Sequence, residues 1–198
     1  VDDTTYGGGT GMIMQGQPIY DCFCALEKEI GKRPHLIYMS PQGKTLDQQR
    51  VKKLAKMDNI AILCGHYEGV DERVIEELVD EEISIGDYVL TGGELPAMVL
   101  VDTVARFLDG VLAGEESVKE ESVYSGLLEY PHYTKPREVE GLTVPDVLVS
   151  GNHEKIDLWR YEKSLEITKE RRPDLFREYL ESEPPLSKKE KKILEEIK

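Results

Sequence analysis

The sequence predicts an α/β protein, a parallel β-sheet covered by helices, with a small carboxy-terminal helical domain. Three observations carry that prediction. Short apolar runs alternate with amphipathic stretches as far as Leu108, the pattern of crossover units in a sheet buried on both faces. A polar, aperiodic stretch, residues 109–122, then interrupts the alternation. Beyond it, helical periods are broken by prolines.

Each element has its own signal. Ile19, Cys22, Leu26 and Ile30 recur at helical spacing, so Pro18 to Ile30 reads as a helix stopped by Gly31. His35 to Ser40 is an apolar run suited to a buried strand, with a turn over Pro41 to Lys44. Thr45 and Gln48 have capping-box spacing, and Val51, Leu54 and Met57 continue a helix from there. Asn59 to Gly65 reads as a second strand, and Asp71 as the cap of a helix bearing Val74, Ile75 and Leu78. Ile83 to Leu90 is a third strand broken by Gly86; Glu94 to Leu108 is a long apolar helix with Pro96 in its first turn. In the remainder, Tyr130 to Pro145 is punctuated by prolines, and a helix capped near Asn152 runs to Arg172. Pro173 and Pro184-Pro185 divide the rest into short helices. The expected division is residues 1–112, a linker over 113–122, and a helical domain over 123–198. Because the chain opens at Val1 inside an apparent motif, a further amino-terminal segment is expected to precede it.

Composition narrows the function classes. The 198 residues carry 39% hydrophobic and 32% charged side chains, outside the range of disordered or fibrous chains. No apolar run approaches the ~20 residues of a membrane helix. Three cysteines, Cys22, Cys24 and Cys64, make no paired framework, which favours a reducing cytoplasm. The net charge of -14 disfavours a polyanionic partner, but it is uneven: -12 over residues 1–122 and -2 over 123–198. The second part also groups Arg160, Lys163, Lys169, Arg171 and Arg172.

In a parallel sheet, ligands bind beyond the carboxyl ends of the strands, so the segments after Ser40, after Gly65 and around Gly86 to Gly93 become the candidate site. All three are rich in glycine and polar residues. Tyr6 to Gly11 packs four glycines into another loop, either flexible or shaped for close approach to a ligand. It is no P-loop, and no strand is expected before it. His66 reads as a solvated loop histidine, since no second His or Cys stands at ligand spacing. Glu94, Asp102 and Arg106 share one helical stripe: either an ordinary solvated face with an Asp102–Arg106 pair, or an arginine held ready for developing negative charge.

These motifs also occur together in one order and spacing: Val1-Asp-Asp with Tyr6-Gly-Gly-Gly, Tyr38-Met-Ser-Pro-Gln-Gly43, Cys64-Gly-His-Tyr-Glu-Gly69 and Ile85 to Pro96. Pro131-His-Tyr-Thr-Lys-Pro136 and Val149-Ser-Gly-Asn-His153 with Trp159-Arg160 complete the set. Over essentially its whole length the chain resembles the bacterial tRNA (guanine-N1-)-methyltransferases, which methylate guanosine 37, next to the anticodon. The resemblance implies a SPOUT-type domain with a deep trefoil knot, an obligate homodimer with its active site at the subunit interface, and S-adenosylmethionine as methyl donor. By matching motif, the donor loops comprise Tyr38, Met39, Ser40 and Pro41; Gly65, Tyr67, Glu68 and Gly69; and Ser84, Ile85, Gly86, Asp87, Tyr88, Val89, Leu90, Gly92, Gly93 and Pro96. The resemblance further implies Arg106 as catalytic cation and Glu121 as base. At Glu121 the family has aspartate, so the longer side chain, or neighbouring Glu120, must keep the reach. Use of Mg²⁺ in turnover is implied too, with Glu68 and Glu121 as participants. For tRNA contact it suggests Asp2, His132, Tyr133, Lys135 and Arg160, where Lys135 replaces an arginine and loses its bidentate fork. The alternatives are a SPOUT methyltransferase of another RNA nucleotide, and an inactive module that binds donor or RNA.

Overall fold

The computed structural model describes residues 1–111 and 125–198. The chain divides into two compact units, Val1–Leu112 and Ala113–Lys198.

Unit 1 is built around β3 (His35–Thr45), the central strand of a parallel sheet. β4 (Ile60–Leu63) flanks it on one side and β5 (Glu81–Ser84) on the other. Successive side chains of a strand point to opposite faces, and both faces of β3 are apolar. Leu36 and Tyr38 join Phe23 of α1 (Gly16–Ile30) and Val74 and Leu78 of α3 (Glu72–Leu78) in one core cluster. Ile37 and Met39 face the other way, onto Leu54 of α2 (Gln48–Leu54) and Ala97 and Leu100 of α4 (Glu94–Ala105). The continuous apolar run is thereby a three-layer core, helices on each side of one strand. Each such buried side chain contributes about 1.5–3 kcal/mol relative to exposure.

The caps refine the expected boundaries. Asp71 is the N-cap of α3, its carboxylate accepting from the Arg73 amide at 3.1 Å. The α2 cap is Asp47, not Thr45: its carboxylate accepts the Arg50 amide at 2.7 Å, so the capping box at Thr45 does not form. The turn expected over Pro41 to Lys44 is instead part of β3, whose pairing with β5 resumes after a register shift between Met39 and Lys44. Gly43 permits this, because a Cβ there would lie 2.5 Å from the Glu82 carbonyl oxygen. The third strand is shorter than expected and ends at Ser84. There the Ser84 hydroxyl accepts from the Gly86 amide at 3.1 Å, turning the chain out of the sheet. A strand does precede the glycine loop: β1 (Asp2–Thr4) and β2 (Met12–Met14) form an antiparallel hairpin with residues 5–11 at its tip.

Unit 2 is mainly helical. α5 (His153–Arg171) starts at Asn152, whose side chain accepts from the Lys155 amide at 3.1 Å. α6 (Pro173–Glu181) and α7 (Lys188–Ile197) follow, their apolar faces closing on Leu165 around Leu127, Phe176, Tyr179 and Leu194. Buried Thr168 is satisfied twice: its hydroxyl donates to the Ser164 carbonyl at 2.6 Å and accepts from the Leu128 amide at 2.8 Å. A small hairpin with no signal in the sequence, β6 (Glu138–Val139) with β7 (Leu142–Thr143), turns through Glu140 and Gly141 at φ 51° and 77°.

Candidate active site

Residues 38–42, within β3, and the segments leaving the carboxyl ends of β4 and β5 enclose a cavity of about 330 Å³. That is the size of a small-molecule site. Every residue expected in the donor loops lines it except Asp87, and so do Gln42, His66, Ile83 and Thr91, which that expectation omitted. His66 and Thr91 fall within the expected loop segments, whereas Gln42 and Ile83 enter through strand register, which glycine spacing does not show.

Two glycines let the loops close on one another. The Gly93 amide donates to the Gly65 carbonyl at 2.9 Å, and a Cβ on Gly93 would stand 2.6 Å from the Cys64 Cα. A Cβ on Gly65 would stand 2.9 Å from the Tyr38 hydroxyl oxygen. Having no side chain at these two positions lets the loops and Tyr38 pack against one another and close the cavity wall. Tyr67 adopts φ 58° and leaves its side chain exposed at the rim.

The charges around the cavity are mostly negative. Glu68 lines it, and Glu94 stands at the start of α4, hydrogen-bonded through Oε1 to His66 Nε2. That bond holds the Glu94 carboxyl below the usual carboxylate range. His66 is exposed in its loop, as expected, and is also the partner of a carboxylate from another element. Burial, and then the Glu94 charge, push the Cys64 thiol up, and burial with the charges of Glu82 and Glu72 raises the Tyr38 phenol. Neither group is poised as a nucleophile or base near neutral pH; the site offers shape, backbone amides and carbonyls, and a carboxylate suited to a cationic ligand.

The remaining expected residues stand elsewhere. Arg106 caps the far end of α4, about 18 Å along the helix from Glu94. It does not line the cavity of its own chain. Glu121 and Glu120 lie outside the described residues. Asp2 pairs with Met14 in the β1–β2 hairpin. In unit 2, three of the other four stand near aromatic rings or acidic partners. Arg160 stacks its guanidinium 4.8 Å from the Tyr130 ring centre, and His132 packs on the same tyrosine at 4.7 Å while meeting Glu129 at 2.9 Å. Tyr133 lies 6.4 Å from Trp159, and Lys135 follows two residues later in the exposed segment. Among the described residues, no three His, Cys, Asp or Glu side chains gather as a metal site, and no helix is long and apolar enough to cross a membrane.

Fold and cavity together define an α/β protein with a cavity of small-molecule size beside its parallel sheet. Comparison with known proteins narrows this. The family model described as tRNA (Guanine-1)-methyltransferase TrmD matches residues 1–178. A tRNA (guanine-N(1)-)-methyltransferase of Lachnospira eligens is 57% identical over 180 residues, covering 91% of this chain and 76% of the relative. The protein of that name from Alkaliphilus oremlandii is 54% identical over 203 residues, covering 100% of this chain and 80% of the relative. That of Clostridioides difficile is 55% identical over 178 residues, covering 89% and 77%. The chain belongs to the tRNA (guanine-1)-methyltransferase family.

Proposed function

We propose that the protein transfers the methyl group of S-adenosylmethionine to N1 of guanosine 37 in tRNA. What carries the reading is that the family's motif loops, far apart in sequence, line one cavity. That cavity suits the donor on two counts: its volume, and Glu68 among its lining residues, opposite in charge to a ligand with a positively charged sulfur. Tyr38 to Pro41, Gly65 to Gly69 and Ser84 to Pro96 would hold it. When bound, the donor supplies a methyl group on a sulfonium, which leaves as a neutral thioether.

The protein's own groups must prepare the base. Guanine N1 carries a proton, and its ring lone pair is delocalised away from attack. The Glu121 carboxylate takes that proton as N1 bonds to the methyl carbon, and the Arg106 guanidinium stabilises the charge developing toward O6. In this reading a second copy completes the site, in a homodimer, and the place of Arg106 at the opposite end of α4 from its own cavity supports that. Leu95, Met98, Val99 and Val101, all exposed on α4 in the single chain, would be covered by that copy. The same reading gives unit 1 the SPOUT-type trefoil knot and makes unit 2 a tRNA-binding domain. His132, Tyr133, Lys135 and Arg160 there, with Asp2 of the first unit, contact the tRNA. Mg²⁺ supports turnover through Glu68 and Glu121, and the work is done in the cytoplasm.

The test is methyl incorporation by the full-length protein, with Mg²⁺, into two tRNA transcripts differing only at position 37. Incorporation with guanosine and none with adenosine is expected. Equal incorporation would favour a methyltransferase of another nucleotide, and donor binding without transfer to either transcript an inactive module.

A further inference from the structure

The tip of the β1–β2 hairpin holds four glycines, yet none of them lines the cavity. The hairpin reaches the cavity wall through its backbone. The Glu68 amide donates to the Met12 carbonyl at 2.9 Å, the Met14 amide to the Gly69 carbonyl at 2.9 Å, and the Asp71 amide to the Met14 carbonyl at 3.1 Å. Met14 and Val70 form a parallel bridge, so β2 is stitched to the segment that carries Glu68. This register sets Gly11 directly against the Glu68 side chain. A Cβ on Gly11 would stand 2.6 Å from Cγ, 2.8 Å from Oε1 and 3.0 Å from Cδ of Glu68. Those atoms belong to a flexible side chain, so the hairpin can keep its fold while the carboxylate is forced from its place.

We propose that Gly11 is a positioning residue: by having no side chain it fixes where the Glu68 carboxylate sits in the cavity wall. The tip glycines then divide into two kinds. Gly7, at φ +89°, has nothing within 4 Å of an added Cβ and serves the turn alone. Gly11, at φ +100°, serves the turn and keeps the Glu68 carboxylate in place. An alanine at either position carries comparable backbone strain, but only one of them displaces the carboxylate.

The proposal rests on the reading of the cavity as the methyl-donor site, and the experiment separates the two. Single-turnover methyl transfer is measured on the full-length protein with saturating donor, tRNA and Mg²⁺. Glu68→Ala should slow the step by roughly tenfold or more, the scale of one lost charged contact. Gly11→Ala should approach that loss, while Gly7→Ala stays within about twofold of the parent. In the Gly11→Ala background, Glu68→Asp shortens the arm by one methylene and should recover part of the rate, a rescue that general loosening of the hairpin would not give. Gly11→Ala at the parental rate beside an impaired Glu68→Ala would overturn the positioning role and leave the cavity reading intact. Equal damage from Gly7→Ala and Gly11→Ala, or no rescue, would likewise overturn it. A Glu68→Ala variant at full rate would also overturn the positioning role, by showing that the carboxylate has no part in the step.

Discussion

Asp80 shows how much one side chain settles in this fold. Burial would raise its carboxyl, but the Leu36 amide at 2.7 Å and the Arg33 guanidinium at 2.7 Å outweigh burial and hold it below the usual carboxylate range. A carboxyl depressed in the folded state stabilises it above the unfolded-chain pKa of about 3.9, and that contribution is lost as pH falls through the folded value. Asp80→Asn should therefore lower the urea-unfolding free energy by about 1 kcal/mol at pH 7, with the difference from the parent shrinking below about pH 4. A constant difference across that range would assign the effect to packing. The catalytic proposal also belongs at this scale. Arg106→Ala and Glu121→Gln should each cut the turnover rate by roughly a hundredfold or more while changing donor affinity in calorimetry far less. Individual residues were unequally legible in the sequence. Asp71 and Asn152 announce their caps because they stand immediately before an apolar period. The His66–Glu94 bond was hidden, since 28 positions separate partners that only the sheet brings together.

At the scale of elements, the parallel sheet was legible because β3 is apolar on both faces, a pattern that only a strand covered by helices on each side explains. Ile37, fully buried, is the sharpest test of that layer; Ile37→Ala should cost about 2–5 kcal/mol of unfolding free energy. The ends of elements were less legible. β5 stops at Ser84 although the β-prone Tyr88, Val89 and Leu90 follow, because the Ser84 hydroxyl and Gly86 close a turn first. The hairpin around residues 5–11 escaped because its two strands have three residues each, too short for any alternation to register. Loop closure at the cavity depends on Gly93. A Gly93→Ala variant must push its Cβ against the Cys64 backbone, and neither side there is a flexible side chain. Donor affinity by calorimetry should fall at least tenfold or so, with helix content by circular dichroism retained; parental affinity would mean that the loops need not meet.

For the whole molecule, the proposal makes the single chain an incomplete enzyme, with a donor cavity at one end of α4 and the catalytic arginine at the other. Nothing in periodicity or composition could reveal that arrangement, since a sequence shows which faces are apolar but not which copy covers them. Met98→Glu, at a side chain 66% exposed in the monomer, should shift sedimentation from dimer to monomer and abolish turnover together. A shared site also predicts complementation. Hybrid dimers formed from Arg106→Ala and Gly93→Val subunits, each inactive alone, should regain activity through the one cavity that has both an intact donor loop and a neighbour's arginine. The most direct test of the account is the chemical identity of the product. A transcript with guanosine at position 37, treated with the full-length protein and S-adenosylmethionine, is digested to nucleosides and resolved by chromatography with mass spectrometry. The expected product is 1-methylguanosine, stoichiometric with the methyl transferred and mapped to that position; a methyl on another atom of the base, or at another nucleotide, would refute the proposed function.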